Sequence, residues 1–337
     1  MKAYNTVNTV NTVNKNEDRF TLPLIHGKDT YNINPTVFKK VIGQKEACKK
    51  LGFFVQSHSK VTPMPTMLFS GSQGLGKTYM AEKVAKALGR ELIEVNCGTI
   101  EKAKDFIDGI LFKKVMGDKS KTILLDEAHK LSSEITTILL SLLNPNAENI
   151  NYLSYKNWVV EFDMSKINII FASTDGHRIF KPLLNRCVEI YFHTYSNKNL
   201  FRILKLYSKG VSIECDAVDV SYACRGRARD AFVLSQNILR HSIMNNKKVF
   251  DTSSWADVRE IFGIHEYGLN NQEVELLKTI KDNAPISCRN LAVKLGVNES
   301  NIESELEIRP RELGFIKNGT RGRKLSEEGL EYLKGKK

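Results

Sequence analysis

Gly71-Ser72-Gln73-Gly74-Leu75-Gly76-Lys77-Thr78 is the stretch on which the fold turns. It follows a short apolar run, Met67-Leu68-Phe69, and opens a helical text from Lys77 to Leu88. A glycine-rich turn therefore joins a strand to a helix, the setting in which G-x-x-x-x-G-K-[ST] binds phosphate. The glycines Gly71, Gly74 and Gly76 let backbone N–H groups close around phosphate oxygens at the positive end of the helix. Lys77 reaches the β and γ oxygens and Thr78 ligates Mg²⁺, so the pattern implies a nucleoside triphosphate bound with its metal.

The text around this turn sets the fold class. Ile93-Glu94-Val95, Thr122–Leu125 and Ile167–Ala172 read as further strands separated by helical stretches. Strands alternating with helices in this way give an α/β protein with a parallel sheet. Ile123-Leu124-Leu125-Asp126-Glu127 ends such a strand in two carboxylates. Asp126 is read as holding Mg²⁺ through water, and Glu127 as polarising the attacking water. The next strand runs out into Ser173-Thr174-Asp175, which places the Thr174 hydroxyl beside a γ-phosphate. Arg186, in Pro182–Cys187, and Arg229, in Gly226–Asp230, suggest a γ-phosphate sensed by arginines, one of them from a neighbouring subunit. The string Asp126-Glu127-Ala128-His129 also occurs in two-lobed helicases, but the text after Thr174 offers helices rather than a second nucleotide-binding lobe.

Composition excludes other classes. The 337 residues are 42% hydrophobic and 26% charged, as in a folded protein with sizeable cores rather than a disordered or fibrous chain. No apolar run approaches the ~18–20 residues of a membrane span, and no secretory signal is visible, so no membrane partner is expected. Six cysteines lie scattered without a C-x-x-C pair, which points to a reducing, cytoplasmic setting. A net charge of +12 suits a nucleic-acid partner.

Toward the start, Asn5–Asn14 repeats Asn-Thr-Val, and residues 1–30 read as a flexible tail. Residues 31–194 then form the nucleotide-binding unit, 195–262 a small helical lid read as helix throughout Asn197–Met244, and 263–337 a third unit. In that third unit Gln272–Lys281, Ser287–Leu295 and Glu299–Leu313 read as three helices, with Phe315–Leu325 as a β-wing. This is a winged-helix pattern. The candidate recognition helix carries Glu299, Glu303, Glu305 and Glu307, which repel phosphate. The wing instead gathers Lys317, Arg321, Arg323 and Lys324, suited to DNA backbone or minor groove without much sequence preference.

The ordered set of motifs resembles the AAA+ ATPases, and among them the RuvB family of Holliday-junction branch-migration motors, over roughly Phe38 to Leu333. The likeness rests on Val41-Ile42-Gly43-Gln44, the Gly71–Thr78 turn, Asp126–Leu131, Ala172–Thr174, Pro182–Arg186, Arg225–Arg229, Gly314–Ile316 and Thr320–Arg323. It implies that ATP is the nucleotide, with Ile42 and Leu75 against it, Thr174 as sensor 1, Arg186 as the arginine finger, Tyr195 packed near the nucleotide and Arg229 as sensor 2. It also implies a hexameric ring of identical subunits acting on double-stranded or four-way-junction DNA. The family's arginine near the start is Asn34 here, its second arginine before the finger is Leu184, and Asn149–Asp163 is a shorter hairpin without a glycine-rich tip. Whether a RuvA-type junction protein docks on that hairpin is left open, as is whether Tyr152, Tyr155 and Trp158 form its apolar face or fill the core. Two other readings stand beside the DNA motor: a clamp-loader-like ATPase, and a DNA-binding regulator using ATP as a switch.

Overall fold

The computed structural model describes residues 34–335 apart from 118, 147 and 157. The Asn-Thr-Val tract and the rest of the tail lie outside the described residues. A short turn of helix at Pro35–Lys40 leads to α1 (Lys45–Ser57), β1 (Met67–Ser70), α2 (Lys77–Ala87) and β2 (Glu91–Asn96). The chain continues through α3 (Ala103–Phe106), which runs into a wider π-helical segment at Ile107–Val115, to β3 (Lys121–Asp126) and α4 (Ser133–Leu142). A hairpin of β4 (Ile150–Tyr155) and β5 (Trp158–Asp163) precedes β6 (Ile167–Ser173), α5 (Lys181–Leu184) and β7 (Val188–Tyr191).

Five of these strands form one parallel sheet in the order β2-β3-β6-β1-β7. The runs of β1, β3 and β6 are buried almost throughout because both faces of the sheet are covered there. Alternate residues of one run serve opposite cores. Ile123, Leu125, Ile169 and Phe171 pack toward α3, α4 and the hairpin, while Leu124, Ile170, Ala172 and Phe69 pack toward α1 and α2. The register levels the carboxyl ends of the three central strands: Leu125 pairs with Phe171, and Ser70 with Ser173. The phosphate turn, Asp126 and Thr174 therefore leave the sheet side by side, where open α/β sheets place their ligands. Edge strand β7 has no uniform apolar run, alternating exposed Glu189 and Tyr191 with buried Ile190, and the reading of the text passed over it.

The hairpin divides its aromatic residues. Leu153 and Phe162 are buried, Tyr155 packs edge-on against Phe112 with ring centroids 5.7 Å apart, and Tyr152 is exposed. The Trp158 side chain is outside the described set.

Residues after β7 are not helical throughout. Between α6 (Asn197–Tyr207) and α7 (Ala217–Tyr222), β8 (Ser212–Ile213) pairs in parallel with β9 (Val249–Phe250), which lies beyond α8 (Ala228–Met244) and before α9 (Thr252–Phe262). This corrects the all-helical expectation: Val211 and Ile213 are β-branched, and Ser212-Ile213 joins the strand after α8 instead of extending α6. Leu200, Leu204, Ile238, Trp255 and Val258 close a separate small core.

The last segment contains α10 (Asn271–Asn283), α11 (Cys288–Leu295), α12 (Glu299–Asn301), α13 (Ile308–Glu312), the antiparallel wing β10 (Ile316–Gly319) and β11 (Gly322–Leu325), and α14 (Glu327–Lys334). The single helix read over Glu299–Leu313 is broken by a π-helical segment at Ile302–Leu306. The break carries Glu307 fully inward, where it binds Arg311 and Arg323. Helix α14 was not read from the text; it packs Tyr332 and Leu333 into this core and stacks Tyr332 on Phe315.

Candidate nucleotide site and DNA-facing surface

Between β1 and α2 the phosphate turn is held at several points. Gly76 takes φ +92° and stands as the N-cap of α2, a left-handed conformation natural to glycine, so helical N–H groups begin at Lys77. The Lys77 side chain is buried, and its ammonium donates to the Gly71 carbonyl at 2.6 Å and the Ser72 carbonyl at 2.9 Å. Burial pulls its pKa down, the neighbouring Asp126 carboxylate pushes it back up, and Arg229 adds to the lowering. A cation folded across the mouth of the turn is placed to exchange those carbonyls for phosphate oxygens.

A cavity of about 330 Å³ opens above the turn. Gly74, Gly76, Lys77 and Thr78 line its phosphate end, Asp126, Glu127 and Thr174 the adjoining wall, and Ile42, Tyr195 and Arg229 the side toward α6 and α8. Gly71 and Leu75 do not reach it. The Leu75 side chain is 1% exposed and belongs to the core, and only its carbonyl serves the site. Arg186 also lies outside the cavity of its own chain: half-buried after α5, it donates from Nη1 to the Pro182 carbonyl at 2.8 Å, and its buried Nε has no hydrogen-bond partner.

Sequence reading missed the apolar half of the cavity. Ile203, Leu206 and Tyr207 of α6 and Phe232 of α8 line it, with Tyr207 edge-on to Phe232 at 5.0 Å. One exposed aromatic residue on each of α6 and α8, Tyr207 and Phe232, was the available signal, legible only once the two helices are known to face one another. Gln44 is a second omission. At φ +47° it is a left-handed, non-glycine residue, and its amide donates to the His193 carbonyl at 2.7 Å and the Leu75 carbonyl at 3.4 Å. The His193 N–H returns a bond to its Oε1 at 3.1 Å. Tyr195 donates to the same Leu75 carbonyl at 3.2 Å. Burial pushes the Tyr195 phenol up to about 12, so it stays a protonated donor.

The carboxylates differ in setting. Asp126 accepts the Glu127 N–H at 2.9 Å, which fixes the turn after β3. Glu127 sits at φ +53°, a left-handed conformation that costs a non-glycine residue. Its carboxylate binds Lys130, and that contact holds its pKa below the usual carboxylate range. Ser173 Oγ lies 3.0 Å from His129 Nδ1 and accepts the Asp175 N–H at 2.9 Å, so the ends of β3 and β6 are tied together beside Thr174.

The donor set fits ATP with Mg²⁺. A buried cation, helical N–H groups and a hydroxyl converge on one end of the cavity, with a carboxylate pair beside them and an apolar slot opposite. Thr78 and Asp126 both line this end of the cavity and are the residues that would hold the ion.

On the wing, Lys317, Arg321 and Lys324 are exposed, and Lys317 stands directly across from Lys324. Arg323 is a correction. Its guanidinium is turned inward onto Glu303 at 2.8 Å and onto Glu307, leaving its side chain 11% exposed. The acidic helix that the text sets against phosphate is thus partly neutralised by the wing itself.

Sheet order, phosphate turn, paired carboxylates and helical lid define a P-loop ATPase of the AAA+ type carrying a C-terminal winged helix. Two family models match the chain: the Holliday junction DNA helicase RuvB P-loop domain over residues 33–191, and the RuvB C-terminal winged helix domain over residues 266–334. The chain belongs to the RuvB family. It is 26% identical over 327 residues to the branch migration complex subunit RuvB of Fervidobacterium nodosum, covering 94% of this chain and 92% of that one. To the same subunit of Ehrlichia canis it is 27% identical over 321 residues, covering 92% and 95%. The structure of the Thermotoga maritima RuvB Holliday junction branch migration motor shares the fold, with a TM-score of 0.71 at 22% identity, over 87% of this chain and 95% of that chain.

Proposed function

We propose that this protein is an ATP-driven motor that translocates double-stranded DNA and migrates four-way junctions, working in the cytoplasm as a hexameric ring. The observation that carries the reading is one chain that joins a cavity lined by the phosphate turn and two carboxylates to a basic wing through its lid. We divide it into an ATPase unit at 31–194, a lid at 195–262 and a winged helix at 263–337. Bound Mg²⁺ supplies charge neutralisation on the phosphates. Lys77 draws the terminal phosphate into the turn, Thr78 and Asp126 hold the ion, and Glu127 orients and deprotonates the attacking water. Thr174 and Arg229 contact the terminal phosphate, and Arg186 reaches the neighbour's site. Lys317, Arg321 and Lys324 grip the DNA backbone. Glu127 speaks against a pure ATP switch, which has no need of a water-polarising carboxylate. A RuvA-type partner would meet a short hairpin on which Tyr152 and Val159 are exposed.

ATP turnover with no DNA, linear duplex and a four-way junction, paired with strand displacement on the junction, tests the reading. Stimulation by DNA together with displacement is expected. Turnover indifferent to DNA, or stimulation without displacement, would remove the motor and leave the clamp-loader-like alternative.

A further inference from the structure

The turn Cys224–Arg229 between α7 and α8 is fastened on both sides. Toward the nucleotide, the Arg229 N–H donates to the Gly74 carbonyl at 3.1 Å, and the Gly226 carbonyl accepts the Tyr195 N–H at 2.8 Å. Toward the winged helix, Arg225 points the opposite way. Its Nε donates to the Gly268 carbonyl at 2.8 Å, while Nη1 and Nη2 bind the two oxygens of Glu273 at 3.0 and 2.7 Å. Glu273 is almost wholly buried, and it also accepts the Asn270 N–H at 2.8 Å, closing the capping box that starts α10. From that start α10 sends Val274, Leu276, Leu277 and Ile280 into the winged-helix core.

The junction is tight as well as charged. Gly268 takes φ +73°, and a Cβ there would meet the Tyr222 carbonyl at 2.4 Å. Tyr222 also packs edge-on to Tyr267 at 5.6 Å. A two-pronged guanidinium–carboxylate pair fixes direction as well as distance. Few residues therefore separate a backbone bond on the phosphate turn from the first turn of α10.

We infer that Arg225 is a positioning residue that couples the nucleotide cavity to the winged helix through its bidentate pair with Glu273. Movement of the phosphate turn displaces Gly74 and Arg229, swings the Cys224–Arg229 turn, and re-aims α10 with the wing behind it. By linkage, DNA held on the wing alters the cavity by the same route. The inference rests on the proposed motor for its DNA ligand, but the mechanical link concerns this chain alone.

Full-length Arg225→Gln and Glu273→Gln proteins test it. Glutamine keeps the α10 capping box of Glu273 while removing the charge pair. Turnover without DNA is expected to stay unchanged. Stimulation of turnover by linear duplex is expected to fall by a factor of about 5–150, the range of ordinary inter-site coupling. The effect of a non-hydrolysable ATP analogue on duplex affinity is expected to fall as well, which a merely structural role would not produce. Arg225→Lys, which keeps the charge and loses the two-pronged geometry, serves if either glutamine variant fails to fold. Native stimulation in these variants overturns the inference. If the unmodified chain ignores DNA, the motor reading fails and hydrogen exchange decides the link. Protection of α10 amides that changes with the analogue in the native chain and not in Arg225→Gln supports it, and protection indifferent to the analogue in the native chain overturns it.

Discussion

Arg323 of the wing binds Glu307, a carboxylate with no exposed surface that lies where the acidic helix breaks. Glu303 takes a second guanidinium nitrogen, and Arg311 holds the other side of Glu307. These contacts raise the pKa of Arg323 against the opposing effect of burial. The pairing separates wing cations that build the domain from those that face outward.

The first prediction follows from that separation. Arg323→Ala leaves a buried carboxylate with one partner, and removing one side of such a pair costs about 3 kcal/mol. Chemical denaturation should show the loss. Lys317→Ala, Arg321→Ala and Lys324→Ala together should leave stability near native and flatten the log–log salt dependence of duplex binding by about 2.7, at ~0.9 per phosphate contact. An unchanged slope in the triple variant would place the DNA grip elsewhere.

Lys77 and Glu127 separate binding from chemistry. Lys77→Ala removes the buried cation of the phosphate turn, so both nucleotide affinity and turnover should collapse. Glu127→Gln keeps the side chain's shape and abolishes its basicity, so the nucleotide should stay bound while turnover falls by about 10²–10⁴, the usual contribution of a positioned base. Equilibrium binding and single-turnover hydrolysis are measured separately. Normal turnover in Glu127→Gln sinks the assignment.

Gln44 is predicted to act on nucleotide affinity. Its left-handed backbone allows Gln44→Gly without strain, so that variant removes only the amide that joins Leu75 to His193. With net contributions of about 1 kcal/mol per hydrogen bond, affinity should weaken about 5- to 30-fold at nearly constant kcat. A KM that does not move would show that the phosphate turn keeps its shape without the bridge.

The sequence carried the central strands and the phosphate turn because each is local. Met67–Phe69 and Ile169–Ala172 are apolar on both faces, and the turn's glycines and Lys77 lie within eight consecutive positions. What stayed hidden depended on contacts between distant segments. Val188–Tyr191 is a strand because it lies on β1, pairing Phe69 with Ile190, and an alternation of four residues is too short to mark it alone. The slot of Tyr207 and Phe232 needs two helices that the text cannot orient. Arg323 looked like its neighbours in the wing, and only the inward turn of Glu307, sixteen positions earlier, gives it a different task.

A pH dependence is expected at the opposite end of the sheet from the cavity. His58 Nε2 lies 2.9 Å from Arg90 Nη2, where it must accept, and Arg90 also binds Asn168 and the Ser165 carbonyl. A protonated imidazole would set donor against donor. Burial first, and the Arg90 charge second, lower the His58 pKa to about 4. The folded state thus binds its proton less readily than the unfolded chain. This part of the stability is present above about pH 6.5, is lost as pH falls toward about 4, and then levels off. His58→Gln, which keeps an acceptor for Arg90 and cannot titrate, should flatten that limb by about 2–3 kcal/mol between the two ends. Parallel denaturation profiles for both proteins across the window would contradict the placement of the proton.

Arg186 carries the argument from chain to assembly. It follows Thr174, which lines the cavity, by a short helix, yet it does not line the cavity itself. One guanidinium nitrogen is tied to the Pro182 carbonyl, and the buried Nε has no partner. An arginine so held near the sheet's carboxyl edge, away from its own nucleotide, is suited to a site completed from outside. Such fingers stabilise transition-state charge and supply about 10³–10⁵ in rate in related NTPases. Arg186→Ala subunits should therefore bind ATP with native affinity and fail to hydrolyse it as homogeneous rings. Lys77→Ala subunits fail for a different reason, having a finger but no competent turn. In mixed rings, an Arg186→Ala subunit with an intact turn can receive the finger of a Lys77→Ala neighbour, so turnover should reappear at sites of that pairing. Co-assembly is verified by differential labelling before rates are compared. Mixed rings as inactive as either parent would mean that Arg186 acts within its own subunit or only shapes the end of α5.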